Sequence, residues 1–335
     1  MKKNNLQKKP AVIDLFCGAG GLSEGFKKAG YQILLGIDNI EIFIETFKKN
    51  HKNSIAICGD IRKITVENVK RKIANKSIDI IIGGPPCQGF SAAGRRDKSD
   101  PRNSLFVEFI RFVDGLRPKY FVMENVRGLL SMSTANGEPV IEIIRKEFEK
   151  IGYKVECRVL LAADYGVPQK RYRVIFIGTN TNRPITFPSP THSNKLRNEL
   201  FKKILKEWVP VKNVLLKENK IDKIFFHSKK MITGFKKRKE KNKNLGNGFG
   251  WQILNPDKPS YTISARYWKD GSDALVKYSD DRIRMLTPLE CAKIQSFPSN
   301  YKFMGSKRDI YTQIGNAVPP LMAKAIAEEI KRVLI

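Results

Sequence analysis

Ile78-Asp79-Ile80-Ile81-Ile82-Gly83-Gly84-Pro85-Pro86-Cys87-Gln88-Gly89-Phe90-Ser91 is an apolar run that breaks into a glycine–proline turn carrying one cysteine. The run Ile78 to Ile82 reads as a buried strand of a parallel sheet. Gly83 and Gly84 permit close backbone approach, and the two prolines fix φ and deny the loop regular structure. The expected result is a rigid turn that presents the Cys87 thiol just past the carboxyl end of a strand. Ligands bind at that edge in open α/β sheets. Alone, the stretch also fits a strand ending in a Pro-rich turn around a buried cysteine.

The flanking chain repeats the strand-then-turn pattern. Ala11-Val12-Ile13-Asp14-Leu15-Phe16 reads as a first strand, Cys17-Gly18-Ala19-Gly20-Gly21 as a glycine turn, and Leu22 to Ala29 as a helix. Strand, glycine turn and helix N-terminus form a nucleotide-binding arrangement. The dinucleotide fingerprint GxGxxG fails, because Ser23 stands where its third glycine belongs. A second strand, Gln32 to Ile37, ends at Asp38, placed to hold ribose hydroxyls. A third, Ser54 to Ile57, ends in Gly59-Asp60-Ile61, where Asp60 is placed to accept a hydrogen bond from an exocyclic amine. Together these ends outline a site for an adenosine without a diphosphate.

Beyond Cys87, the polar loop Ala92 to Arg102 holds Arg95, Arg96 and Arg102 and is read as mobile. A helix is expected from Asn103 to Gly115, a strand over Tyr120 to Met123 ending at Glu124-Asn125-Val126, and a helix over Pro139 to Ile151. Tyr153 to Leu161 and Arg171 to Ile177 have no helix between them, so they are expected to form an antiparallel edge hairpin. Thr186 to Pro190 reads as a domain boundary. After it come a lysine-rich segment, short strands and loops over Gly246 to Tyr278, and a helix at Leu289 to Gln295. A second Gly/Pro turn, Gln313 to Pro320, leads to a closing helix over Leu321 to Leu334.

A length of 335 residues with 41% hydrophobic content suits one large α/β domain with a smaller companion. No apolar stretch is long enough to span a membrane, and Met1 to Pro10 lacks the apolar core of a signal peptide, so a cytoplasmic setting is expected. Five cysteines, none in a CxxC pair, argue against a disulfide scaffold and a structural zinc site, and the three histidines are scattered; no metal is expected. The net charge of +29 favours a polyanionic partner, although a lysine-rich proteome of biased base composition contributes. Lys195 to Leu245 holds 17 Lys/Arg against 5 Asp/Glu, a clustering that suits a surface lying along phosphates.

The ordered blocks resemble those of the bacterial cytosine-C5 DNA methyltransferases. They are Asp14 to Gly21, Gly59-Asp60-Ile61, Gly84-Pro85-Pro86-Cys87-Gln88, Glu124-Asn125-Val126, and Gln169-Lys170-Arg171-Tyr172-Arg173. Arg284 to Pro288 with Glu290-Cys291-Ala292, and Gly315 to Pro319, complete the series. The resemblance implies an α/β, Rossmann-like, S-adenosylmethionine-dependent methyltransferase fold: a mixed sheet with an antiparallel edge hairpin. Residues 1–185 with 305–335 would form the catalytic and cofactor-binding domain, and 186–304 a small target-recognition domain and hinge.

By the same resemblance Cys87 adds to C6 of cytosine, Glu124 as a carboxylic acid supports N3, and Arg171 and Arg173 orient the cytosine oxygen and the two loops. Because the two arginines alternate on one expected strand, both should point to one face. Phe16, Cys17, Gly18, Gly20, Gly21, Leu22, Asp38, Asp60, Ile61, Pro85, Leu105, Asn316 and Val318 would hold S-adenosyl-L-methionine, with S-adenosyl-L-homocysteine as product. Asp38, followed by Asn39, departs from the family's usual Glu and aromatic. The partner would be double-stranded DNA, with the target base flipped out. Gln88, Ser91, Arg95, Arg96 and Arg102 would contact it around the closing loop; Gln252, Thr262, Ile263 and Arg266 would read or flank the target. A cognate restriction endonuclease is the expected biological counterpart, and a monomer suffices. The other readings are a methyltransferase of this fold acting on transfer RNA, a dinucleotide-dependent oxidoreductase, and a non-catalytic DNA-binding protein.

Overall fold

The computed structural model describes residues 9–86, 103–134, 136–194, 205–244 and 251–334. The chain divides into two compact units. One comprises Met1–Leu160, Tyr172–Pro188 and Ala323–Ile335; the other comprises Leu161–Arg171 and Ser189–Met322.

The first unit is a seven-stranded sheet. Its elements are β1 (Ala11–Leu15), α1 (Gly21–Lys28), β2 (Gln32–Asp38), α2 (Glu41–Asn50), β3 (Ile55–Cys58), α3 (Val66–Lys72), β4 (Ile80–Gly83), α4 (Asn103–Leu116), β5 (Tyr120–Val126), α5 (Val140–Lys150), β6 (Lys154–Leu161) and β7 (Tyr172–Thr179). The strand order is β3-β2-β1-β4-β5-β7-β6. The first five strands pair in parallel, and β7 runs antiparallel to β5. The expected hairpin of β6 and β7 therefore closes one edge.

Burial explains the central strands. All five residues of β1 and all four of β4 are buried, as a strand covered on both faces requires. Aromatic packing fastens α4 and α5 to β5: Phe121 stacks on Phe148 at 4.0 Å between centroids, and Phe109 meets both edge-on. α2 links the neighbouring strands β2 and β3, α3 lies on the crossover from β3 at the edge to β4, and the side chain of Thr65 caps α3 by accepting from the Asn68 N–H at 3.1 Å.

β5 is longer than its apolar run suggests. It pairs with β7 as far as Val126 opposite Arg173, so Glu124 and Asn125 lie within the strand rather than beyond it. β7 begins at Tyr172, so Arg171 precedes the strand on which it was expected.

The second unit has its own core, in which Ile232, Phe235, Ile263, Tyr267, Leu275, Ile283, Met285 and Tyr311 are buried. Its elements include a helix over Lys229–Asn244, an antiparallel hairpin of Leu275–Ser279 with Arg282–Met285, and helices over Pro288–Ile294 and Lys307–Asn316. The residues expected to start a Gly/Pro turn at Gln313 are the last turn of the Lys307–Asn316 helix; the turn itself starts at Ala317. The terminal helix, Pro320–Leu334, runs from the second unit into the first, where Tyr31 donates its hydroxyl to the Ala327 carbonyl at 3.0 Å.

Candidate active site

In the first unit, order and direction bring the carboxyl ends of β3, β2, β1, β4 and β5 to one edge, and the strand order reverses between β1 and β4. The turn after β1 is tightly wound. Phe16, Gly18 and Gly20 have φ of 62°, 51° and 87°, the left-handed region that disfavours a bulky residue such as Phe16. Asp38, at the end of β2, fastens this turn: its Oδ2 accepts from the Gly18 N–H at 2.9 Å and its Oδ1 from the Ile40 N–H at 3.0 Å. Burial raises the Asp38 carboxyl above its ordinary value.

Ser23, the residue that breaks the dinucleotide fingerprint, is fully buried and donates its hydroxyl to Asp14 Oδ2 at 2.6 Å. That bond ties the first turn of α1 to β1, where a third glycine would merely let them approach. The other Asp14 oxygen is buried without a partner, and burial pushes the Asp14 carboxyl up to about 7.

Gly18 is half-buried, yet a Cβ built on it meets nothing within 4 Å. The turn therefore leaves open space beside an α1 N-terminus that no side chain caps. These features fit the adenosine and methionine portions of S-adenosylmethionine, and Cys17, Gly20, Gly21 and Leu22 are buried around them. A Gly18→Val substitution would fill that space and force a β-branched residue to positive φ. The expected result is at least a tenfold loss of S-adenosylhomocysteine affinity by calorimetry, without loss of the folded sheet by circular dichroism.

Ile61 is buried, as the wall of such a site requires. Asp60 does not stand open as the sequence suggested. Its two oxygens take three hydrogen bonds from the Arg62 guanidinium, at 2.6 to 3.0 Å, and Oδ1 also caps the following turn at the Arg62 N–H. The Arg62 hydrogen bonds hold its carboxyl below the usual value. Pro85 is buried and Leu105 half-buried, whereas Asn316 and Val318 belong to the second unit.

A largely buried ion pair lies at the carboxyl end of β5, beside β4. Arg173 Nε approaches Glu124 Oε1 at 2.5 Å, and both side chains are largely buried, at 13% and 12% exposure. Asn125 donates its side-chain amide to the Pro85 carbonyl at 3.0 Å. A Cβ on Gly84 would lie 3.1 Å from Glu124 Oε2, so the glycine lets the proline turn leave the sheet directly beside the carboxylate. Cys87, Gln88, Ser91, Arg95, Arg96 and Arg102 lie outside the described residues. Of the described cysteines, Cys17 and Cys291 are buried and burial pushes both thiols well up, which unfits them as nucleophiles.

Arg171 does not lie in β7 with Arg173. Arg171 is buried in the second unit, donating to the Ile263 carbonyl at 3.1 Å and the Gly315 carbonyl at 2.7 Å. Gln169 beside it accepts from the Ile263 N–H at 3.1 Å and donates to Gln295 at 3.0 Å; Thr262 donates its hydroxyl to the Lys170 carbonyl at 2.8 Å. Residues 169–171 thus hold Thr262, which is exposed, and Ile263, which is fully buried. Gln252 is half-buried and Arg266 exposed. The buried amide pair of Gln169 and Gln295 has no local mark in the sequence.

A parallel sheet reversing at β1/β4, a glycine turn held by an acidic residue, and an antiparallel strand last-but-one at the edge define a Rossmann-like methyltransferase. A family model described as C-5 cytosine-specific DNA methylase matches residues 11–332, and the chain belongs to that family. It is a DNA (cytosine-5)-methyltransferase of the bacterial restriction–modification type. It is 37% identical to the Type II methyltransferase M.DdeI of Desulfomicrobium norvegicum, over 95% of this chain and 88% of that one. It is also 37% identical to the Type II methyltransferase M1.HphI of Haemophilus parahaemolyticus, over 95% and 86%. The S. pombe Dnmt2 methyltransferase structure shares the fold, with a TM-score of 0.74 at 18% identity over 97% of this chain and 98% of that one.

Proposed function

We propose that this enzyme flips a cytosine out of a specific duplex sequence and methylates C5 through a covalent Cys87–C6 adduct. The observation that carries the reading is the Arg173–Glu124 pair, held at 2.5 Å against the glycine from which the Cys87 turn departs. Cytosine C5 is too electron-poor to take a methyl group unaided. Addition of the Cys87 thiolate to C6 turns the ring into an enamine, and Glu124 stabilises the charge that develops at N3. Arg173 fixes the Glu124 carboxylate in place. Once C5 carries the methyl group, a base, for which a water molecule suffices, takes the C5 proton, the thiolate leaves C6 and the ring becomes aromatic again.

S-adenosylmethionine supplies an electrophilic methyl group. Asp38 orients its ribose, the Phe16–Gly20 turn cradles it, and Ile61 and Pro85 wall its adenine. Arg171 acts as a positioning residue for Thr262 and Ile263, next to which the flipped base is received, with Gln252 and Arg266 reading or flanking the target. Residues 186–304 carry target recognition, and the modification protects host DNA from a cognate nuclease.

Incorporation of tritiated methyl into duplex DNA and into transfer RNA, followed by bisulfite sequencing of the DNA, tests the reading. Label in DNA at cytosines within one sequence context is expected. Label confined to transfer RNA would overturn it.

A further inference from the structure

The helix Lys229–Asn244 carries eight basic residues and one acidic residue. Only Ile232 and Phe235 of its described side chains are buried, so they define its inner face. At 100° per residue, Lys230, Lys237 and Lys241 fall on the opposite face and form one outward stripe. All three are exposed, and none forms an ion pair among the described residues.

Helix electrostatics do not account for this stripe. Cations in the last turns suit the macrodipole, but Lys230 stands in the first turn, where a cation opposes it. Its neighbour Lys229 is compensated by Asp281 at 3.4 Å; Lys230 is not. Lys237 and Lys241 are spaced four apart, where like charges repel. Such a self-repelling ridge suits an anionic partner laid along it.

The helix is also fixed to the segment proposed to meet the target. Arg238 pairs with Asp270 at 3.1 Å, and Asp270 closes the turn carrying Arg266 and Lys269 by accepting from the Ser272 N–H at 3.0 Å. Within that turn Trp268 lies under the Arg308 guanidinium, 4.5 Å from its ring centroid. A rigid row of cations is thereby coupled to the reading segment within one unit.

We propose that Lys230, Lys237 and Lys241 form a sequence-blind anchor for the phosphate backbone of duplex DNA, separate from base reading. The inference rests on the DNA reading above and places three phosphate contacts on one helix. Phosphate contacts fix register and carry no sequence information.

The test compares wild type, the triple variant Lys230→Gln/Lys237→Gln/Lys241→Gln, and a charge-matched control, Lys70→Gln/Lys72→Gln/Lys76→Gln, altered on and after α3 of the first unit. Binding to a mixed-sequence duplex is measured across a salt series. The ridge variant is expected to lower the slope of log K against log salt by about 2.7, at about 0.9 per lost phosphate contact, and to bind about 10²-fold more weakly at moderate salt. The control keeps the wild-type slope, and both variants keep the wild-type melting temperature. An unchanged slope, an equal fall in the control, or a larger loss on transfer RNA than on duplex DNA overturns the anchor. Because the readout is binding, wild type that binds duplex DNA on this ridge without methylating it would sink the catalytic reading alone.

Discussion

Cys87→Ala abolishes methyl transfer, by at least about four orders of magnitude, while duplex binding changes severalfold at most. The loss follows from the ring's electronics. Without a nucleophile at C6, the remaining groups can position cytosine and stabilise charge but cannot make C5 a carbon nucleophile. Glu124 and Arg173 remain paired on β5 and β7 without the thiol, since their contact depends on strand pairing and not on the cysteine. The variant should therefore fold and bind. A duplex containing 5-fluorocytosine provides the second readout, because fluorine at C5 cannot leave as a proton does. In the presence of the methyl donor, wild type is expected to form a denaturation-resistant conjugate through residue 87, and Cys87→Ala none. Retained turnover in the variant, or a conjugate through another cysteine, would contradict the mechanism. Cys17 and Cys291 are poor substitutes because both are buried with thiols pushed up.

The strand edges were legible because parallel strands buried on both faces read as unbroken apolar runs. Ile80–Gly83 is such a run and Ala11–Leu15 is broken only by the buried Asp14, and each is followed by glycines that announce the turn. The carboxylates at those ends could be located but not their partners. Asp60 lies two residues from Arg62, and nothing in the sequence says that the guanidinium folds back onto it. The paired arginines misled for a different reason. Alternation predicts a common face only if both residues lie in the strand, and β7 starts one residue after Arg171, whose guanidinium instead serves carbonyls at Ile263 and Gly315. The strand end at Glu124-Asn125-Val126 was legible, but not its partner Arg173, because the pairing of β5 with β7 is long-range. The helix Lys229–Asn244 left almost no periodic signal, with Gly234 between its two buried anchors. By contrast, the helix Lys307–Asn316 did carry a readable start: Ser306 and Asp309 form a capping box, which the Gly/Pro content of the following turn overshadowed.

Glu290→Gln should destabilise the second unit by about 3–5 kcal/mol, the usual cost of leaving a buried charge without its counter-ion. Arg284 and Glu290 are both fully buried, and they meet through two hydrogen bonds, at 2.8 and 2.9 Å. The carboxylate is in demand from every side. Oε1 also accepts from the Leu216 N–H at 2.9 Å, and Oε2 from the Thr287 N–H at 2.8 Å and its hydroxyl at 3.0 Å. One residue therefore neutralises Arg284, caps the Pro288–Ile294 helix and fastens residue 216 to it. An amide keeps the shape but carries no charge, and its NH₂ group turns two donors toward groups that are themselves donors. Arg284 cannot escape by losing its proton, so the guanidinium charge stays buried. Replacing both residues with apolar ones would remove the charge problem but forfeit the cap, so the double variant should recover only part of the loss. Tryptophan fluorescence isolates the effect, because Trp208, Trp251 and Trp268 all belong to the second unit. With an m-value of roughly 2 kcal/mol per molar urea, the fluorescence midpoint should fall by about 2 M. A midpoint unchanged in Glu290→Gln would show that the pair is not what holds this unit together.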